Sequence, residues 1–452
     1  MNGINKDRQN LIFVFAFVLA FVVNYFSWNK PFFWDSLLTS SVTQFYFEHG
    51  FGNLILPNAL DADHPPFFYV YVVVFYKLFG LNLLAAHLSM LLPSLLGLFA
   101  FVKILQHLNF SYKLQTFTIL GYFSIPAILT QHTLVSYDLM LSSLYLFCIY
   151  CILFERKILL SIIAICICSV AARGLFFMLS LFFIYYLYNR NLKKSILIFL
   201  PALLLFGIWM IYHTLFTQHF ITLENNWSEH RKLVNLRGLT MNLIALARVL
   251  FDFGIVLLFI IQIFQFYITK KISRLQLFWI IPFIVFAGGF VFLSNPIGHR
   301  YFLVVYIFLL ISSIYFLNKQ YKKWLWILCL LPLGHFQIYG NRISNGWDCT
   351  LEYLSFISLK NDFDKYIKSA NIDNLNLGTV FPMNLSERQY YLSGDSSSMV
   401  NIHGKNIDDY SFILYSNIGN DFSNNQLDRM QQYQIVKSEK RGRVTMILYY
   451  TK

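Results

Sequence analysis

Trp34-Asp35-Ser36 follows the first apolar run of the chain, and Pro31-Phe32-Phe33 ahead of it fixes the Asp35 carboxylate at the edge of a lipid phase. A carboxylate so placed is suited to take a proton from a hydroxyl group, which requires reach and a suitable pKa. The same residue reads equally as an N-cap for the amphipathic stretch Ser36–His49. Further on, Asp61-Ala62-Asp63-His64-Pro65-Pro66 gathers two carboxylates and an imidazole, the donor types of a divalent-cation site. One short run does not close such a site, and it reads first as a solvated loop. The two prolines stiffen the exit into the next apolar segment and hold His64 in place.

The cations that could complete a reaction centre are Arg173, His299 and Arg300, each at the end of an apolar run. Fixed positive charge there can stabilise a departing anion, and the planar donors of arginine match phosphate oxygens. As structural residues, Arg173 would be a buried partner of Asp138 and Arg300 a headgroup anchor. Arg248 and Asp252, four apart on one helix face, read as a structural ion pair. His213, His219, Glu224, Trp227 and His230 offer an aromatic face and short polar groups suited to a carbohydrate or acceptor, and otherwise read as solvated loop residues.

These residues sit in a strongly apolar chain. Of 452 residues, 57% are hydrophobic and 13% charged, with a mean hydropathy of +0.55. Soluble globular proteins carry roughly 25% charged residues, so the composition excludes a cytosolic enzyme and indicates a polytopic α-helical membrane protein. The net charge of +13 lies wholly before residue 341, because residues 341–452 carry twelve basic and twelve acidic side chains. The basic residues cluster between apolar runs, as at Arg156-Lys157, Lys193-Lys194, Lys270-Lys271 and Lys322-Lys323. That is positive-inside patterning rather than a nucleic-acid footprint. The six cysteines have neither disulfide nor metal spacing, and Cys148-x-x-Cys151 reads as packing. Leu11–Val23 lacks a small-residue cleavage site after it, so it is expected to stay as the first span.

A bilayer core takes ~20 helical residues. Hydropathy gives about eleven spans, near 9–28, 83–106, 114–135, 139–154, 158–172, 174–188, 195–214, 242–268, 275–293, 301–317 and 323–340. The basic clusters return to one side only if the short segment Phe67–Gly80 does not cross, which makes it a re-entrant helix. On that parity, loops 29–82 and 215–241 and the polar tail lie outside. Eight of the ten acids before residue 341 (Asp35, Glu48, Asp61, Asp63, Asp138, Glu224, Glu229 and Asp252) then fall on the outer side or in the outer part of the membrane region. Membrane-edge ionisable residues usually face a polar cavity, so a single outward-facing polar site is expected. The tail, residues 341–452, reads as a small α/β domain acting as a lid, an acceptor contact or a structural cap. Its helix is expected over Leu351–Ala370, with strands at Leu377–Phe381 and Ser411–Tyr415 and a hairpin of Gln434–Ser438 with Val444–Tyr450.

The order of motifs is specific. Trp34-Asp35, then His64-Pro65-Pro66-Phe67, Leu78-Phe79-Gly80 and Leu91-Leu92-Pro93-Ser94-Leu95 resembles the polyprenyl-phosphate-sugar-dependent glycosyltransferases of the GT-C fold, among them protein O-mannosyltransferases and lipid A aminoarabinose transferases. Ser136-Tyr137-Asp138, Arg173-Gly174 and His299-Arg300-Tyr301 fit the same pattern, which covers residues 10–310 and not the tail. Ser36 stands where many relatives have a second acid, and His87 where an arginine is common.

The resemblance implies a GT-C-like transmembrane domain, residues 1–340, that moves a hexose or pentose from a lipid-linked phosphate to a hydroxyl acceptor on the outer face of a bacterial inner membrane, with inversion. It implies Asp35 as catalytic base, and His64, Arg173, His299 and Arg300 around the donor phosphate. Asp138 and Tyr301 would contact the donor; Asp61, Asp63, Glu224 and His230 stand as acceptor or divalent-cation candidates on residue type and spacing alone. The partners would be the polyprenyl-phosphate-linked sugar, a glycolipid, polysaccharide or protein acceptor, and membrane lipids, with no nucleic acid. The competing classes are a lipid or polysaccharide transporter, which would need ionisable groups through both halves of the membrane, and a non-catalytic scaffold, which leaves the outer acids without a purpose.

Overall fold

Several apolar runs begin on a side chain that satisfies the exposed amides of the first helical turn. Asn82 accepts from the Ala85 amide, Ser111 from Leu114 and Ser136 from Asp138, and Ser273 forms a reciprocal capping box with Gln276. The computed structural model describes residues 2–52, 54–217, 232–294, 296–336, 346–419 and 421–451. Its helices up to residue 336 are α1 (Asn2–Ser27), α2 (Asp35–His49), α3 (Phe67–Phe79), α4 (Leu83–His107), α5 (Tyr112–Ser124), α6 (Pro126–His132), α7 (Tyr137–Leu153), α8 (Lys157–Val170), α9 (Gly174–Asn189), α10 (Leu192–Thr217), α11 (Leu236–Phe251), α12 (Ile255–Thr269), α13 (Arg274–Phe290) and α14 (Leu303–Gln320). A 3₁₀ turn, His299–Phe302, leads into α14, and a 3₁₀ helix, Lys322–Phe336, follows it.

By length and apolarity four described helices can cross a bilayer: Asn10–Ser27, Leu83–His107, Leu192–Thr217 and His299–Gln320. Two bent pairs, α6 with α7 and α11 with α12, raise the number to six, and α3, α8, α9 and α13 are shorter apolar helices. The span His299–Gln320 is largely enclosed by protein, with 89% of its most apolar window buried, whereas the α10 window is 17% buried and leaves its apolar surface for lipid. α4 and α7 approach closely because Gly97 faces Ser143, where a Cβ would lie 2.7 Å from the serine oxygen.

Two continuous spans expected from hydropathy are broken. Residues 114–135 divide at Ile125-Pro126, with the proline opening α6. Residues 242–268 divide at Asp252-Phe253-Gly254, where Phe253 and Gly254 take φ of 55° and 79° and the chain turns by 86°. Hydropathy does not register the buried carboxylate of Asp252, which ends α11. The 3₁₀ helix Lys322–Phe336 has 15 residues. At about 2.0 Å per residue it extends ~30 Å, the thickness of a bilayer core, which an α-helix of that length would not reach.

In the tail, α15 (Tyr353–Ser369) packs on a five-stranded sheet of order β2-β1-β3-β5-β4. Its strands are β1 (Leu377–Thr379), β2 (Val400–Asn401), β3 (Phe412–Ser416), β4 (Gln434–Arg441) and β5 (Val444–Tyr450). β1 pairs in parallel with β2 and β3, and β5 runs antiparallel to β3 and β4. The expected helix, two strands and hairpin are all present, and Gly442 at φ 55° makes the turn between β4 and β5. The short helices α16 (Glu387–Tyr391) and α17 (Asn424–Met430) complete the tail. α2 and Phe32 ahead of it are bound to the tail. The Phe32 amide donates to the Tyr390 carbonyl at 2.9 Å, Arg388 Nε to Gln44 at 2.9 Å, and the Ser40 hydroxyl to the Gln389 carbonyl at 2.7 Å.

Candidate functional site

α2 starts from a strained residue. Trp34 has φ 57° and ψ −132°, a conformation rare for a bulky side chain and costing about 1–3 kcal/mol. Its ring is held edge-on against Phe381 from the tail at 5.2 Å. Trp34 occupies the N-cap position without a side-chain cap bond, so the N-cap reading of Asp35 is not what forms. The Asp35 carboxylate instead accepts from the Arg300 guanidinium and, at 3.4 Å, from the Tyr137 hydroxyl. The Ser36 hydroxyl donates to the Val135 carbonyl at 2.8 Å and locks α2 to the α6–α7 bend.

That bend delivers Asp138. Ser136 Oγ accepts from the Asp138 amide at 3.1 Å and donates to Gln131 at 2.6 Å, and the Gln131 amide donates to the Asp348 carbonyl at 2.9 Å. The buried Asp138 carboxylate lies 3.3 Å from Arg173 Nη1 and 3.2 Å from Arg300 Nε. Arg173 stacks over the Tyr301 ring at 3.8 Å and the Tyr137 ring at 4.8 Å. It is therefore the buried partner of Asp138, packed behind Tyr137 and Asp138, which line the site. Gly174 beside it packs against α8, where a Cβ would fall 2.1 Å from the Ile167 carbonyl oxygen.

Arg300 is the hub. Its guanidinium meets Asp35, Asp138 and Asp348 and reaches the Tyr301 hydroxyl at 3.3 Å. Asp35, Thr39, Tyr137, Asp138, Arg300 and Asp348 line one pocket with Trp34. Arg300 is thus not a headgroup anchor. His299, expected at the phosphate, turns the other way. Its Nε2 lies 3.0 Å from the fully buried Asp252, and its ring meets Phe253 at 4.7 Å. The expected Arg248–Asp252 pair forms at 3.2 Å. Together these contacts tie the α11–α12 bend to the turn that carries Arg300. His87 is buried and hydrogen-bonds the Lys30 carbonyl at 2.9 Å.

A second cluster lies beside the first. His213 Nε2, at the end of α10, stands 2.7 Å from Asp61 Oδ2 and 3.4 Å from Asp63 Oδ1. All three residues are buried, and one ligand atom from each lies within 4.8 Å of the others. This overturns the solvated-loop reading of Asp61 and Asp63. The turn is tight: Asp63 takes φ 55° and its amide donates to Asp61 Oδ1 at 2.8 Å. His64 meets the Tyr137 ring edge-on at 5.5 Å, so Tyr137 lies between His64 and Asp35. Glu224 and His230, with His219 and Trp227, lie outside the described residues.

Sequence reading missed Asp348 and Gln131 and gave His213 no tie to Asp61. Trp347-Asp348-Cys349 follows the last apolar run as Trp34-Asp35 follows the first, a parallel that was available as a signal.

The sequence matches no protein-family model and no curated protein. Two solved structures share the fold: ArnT from Cupriavidus metallidurans bound to undecaprenyl phosphate, with a TM-score of 0.55 at 13% identity, and the same protein in the apo state, with 0.53 at 14%. Each match covers 96% of this chain and 97% of the other. The expected likeness to the aminoarabinose transferases therefore holds at the level of fold, and it extends through the tail, which the motifs did not cover.

Proposed function

We propose that the chain is a membrane glycosyltransferase that moves a sugar from a polyprenyl-phosphate donor to a hydroxyl acceptor on the outer face of a bacterial inner membrane, with the C-terminal sheet on that same face. The observation that carries this reading is the convergence of Asp35 and Arg300, 265 residues apart, in one pocket of an ArnT-like fold. A carboxylate base beside a phosphate-matching cation is the pair that the reaction needs. The donor's lipid tail accounts for a polar site in so apolar a chain, since that substrate does not leave the bilayer.

In this mechanism the donor phosphate takes Arg300, with Arg173 behind it, and Asp35 is released to the acceptor. Asp35 accepts the hydroxyl proton as the acceptor oxygen bonds to the anomeric carbon from the face opposite the phosphate. The anomeric C–O bond breaks with its electron pair going to the phosphate oxygen, so configuration inverts and polyprenyl phosphate leaves. The guanidiniums neutralise the charge that grows on that oxygen. His64 and Tyr137 border the acceptor side, and Asp138 keeps both arginines in place. The Asp61, Asp63 and His213 cluster suits a divalent cation, which would clamp the turn before His64. The donor sugar is a hexose or pentose, and the acceptor a glycolipid, polysaccharide or protein.

Asp35→Asn tests the reading. Transfer measured by mass spectrometry of cell-envelope glycans should disappear, while binding of polyprenyl phosphate by the purified variant persists. Undiminished transfer in Asp35→Asn would exclude this base.

A further inference from the structure

Each nitrogen of the Arg300 guanidinium lies against an acidic side chain of the folded chain. Nε faces Asp138 at 3.2 Å, Nη2 is shared between Asp35 and the Tyr301 hydroxyl, and Nη1 is taken by Asp348. A phosphate approaching Nη1 or Nη2 therefore meets a carboxylate already there. Asp138 is held in addition by Arg173 at 3.3 Å. Asp35 is freed by its own role as base. Asp348 has neither tie: its side chain meets Arg300 and accepts from the Cys349 thiol at 3.6 Å, while its backbone carbonyl accepts from Gln131 at 2.9 Å. Its neighbours Trp347 and Cys349 are fully buried, so the backbone presents this carboxylate to the pocket whether or not Arg300 remains paired with it.

We propose that Asp348 competes with phosphate for Nη1 of Arg300 and thereby separates the two phosphates of the reaction, disfavouring the polyprenyl monophosphate product more than the phosphodiester donor. This rests on the glycosyltransferase reading. Three carboxyl groups, Asp35, Asp138 and Asp348, meet two guanidiniums, Arg173 and Arg300, so acidic side chains outnumber basic ones by one before any ligand arrives. A phosphodiester adds one negative charge at any pH near neutrality. A monophosphate adds between one and two, with a second pKa of about 6. Repulsion from a fixed carboxylate scales with ligand charge, so the product feels Asp348 up to twice as strongly as the donor. Asp348 is in this sense a positioning and specificity residue: it keeps Arg300 aligned before the donor binds and hastens departure of the spent lipid phosphate.

The test uses the full-length protein in lipid nanodiscs and two probes, undecaprenyl monophosphate and its methyl phosphodiester. Asp348→Asn should tighten the monophosphate on the order of tenfold and the methyl diester on the order of threefold. The preference of the wild type for the diester should grow as pH rises from about 5.5 to 7.5, through the second phosphate ionisation, and Asp348→Asn should flatten that rise. Asp348→Glu, which keeps the charge, should restore the wild-type ratio. A side chain that only supports the fold would weaken both probes alike and leave their ratio and pH profile unmoved, and that result overturns the proposal. Asp348→Ala, expected to act as Asp348→Asn does, decides the matter if the asparagine variant does not fold. Wild-type protein that binds neither probe would instead sink the glycosyltransferase reading itself.

Discussion

Asp61 and His213 meet at 2.7 Å across 152 residues of chain, and Asp63 stands 3.4 Å from the same imidazole nitrogen. Tetrahedral zinc with bonds near 2.1 Å separates its ligand atoms by roughly 3.4 Å, a spacing the His213–Asp63 contact already has and to which the His213–Asp61 contact would have to widen. We expect protein dialysed against zinc to retain about one ion per chain by elemental mass spectrometry, and His213→Ala to lose it. Truncation also removes the imidazole that meets both buried carboxylates and empties its place at the end of α10. Its thermal midpoint should therefore fall well below that of the wild type. Equal metal content and equal midpoints in the two proteins would remove the cluster from the account.

Arg300→Lys tests shape at constant charge. A lysine ammonium is a point charge on a flexible stem and cannot meet Asp35, Asp138 and Asp348 from three separate nitrogens, as the guanidinium does. The expected loss in kcat/KM for transfer is about 10²-fold or more, consistent with removal of one preorganised donor at a developing anion. It should fall on kcat as well as KM, because the charge being stabilised grows in the transition state. A change confined to KM would reduce Arg300 to a ground-state phosphate anchor.

Much of this arrangement is legible in the sequence because its signals are local. The short helix at Phe67 follows from two prolines and a glycine, and the tail hairpin from alternating apolar residues around Gly442. Asp35, Asp138 and Arg300 were recognisable because each sits beside an aromatic residue at the end of an apolar run. What the sequence hid are relations set by packing. Hydropathy runs straight through Asp252 because one buried carboxylate among many apolar neighbours barely alters a window average. The direction of His299 depends on that same bend, so a histidine adjacent to Arg300 faces Asp252 rather than the pocket that Asp35 and Arg300 line. Asp348 lies beyond every motif, and only the folding of the tail over α6 brings it to the pocket.

Gly174→Ala should act at a distance of one residue. The added methyl would lie 2.1 Å from the Ile167 carbonyl oxygen, a backbone atom that cannot move without shifting α8. Overpacking of this kind costs about 1–3 kcal/mol. The displaced residue is Arg173, stacked on Tyr301 and paired with Asp138. We expect a lowered thermal midpoint together with a larger fractional loss of transfer than of folded protein, measured on the same preparation at a temperature where the variant stays folded. A variant as active and as stable as the wild type would show that the close approach of α8 to residue 174 does not position Arg173.

Cys349 reports whether the tail is docked on the site. Its side chain is fully buried next to Asp348, and burial pushes the thiol up from its ordinary value to about 12. Only the thiolate is nucleophilic. At pH 8 a thiol of that pKa is ionised to roughly one part in 10⁴, against about a quarter for an unperturbed one. A maleimide should therefore leave Cys349 unmodified in the native protein and label it promptly in denaturant, as peptide mass spectrometry would resolve. Because the native pKa lies above the unfolded one, the neutral thiol favours folding below about pH 9, and that contribution declines as pH climbs toward 12. Labelling of Cys349 should accordingly rise steeply only in that alkaline window. Rapid labelling at pH 8 would mean that Trp347-Asp348-Cys349 leaves the pocket in solution, and that the carboxylate facing Arg300 is not held there by the fold.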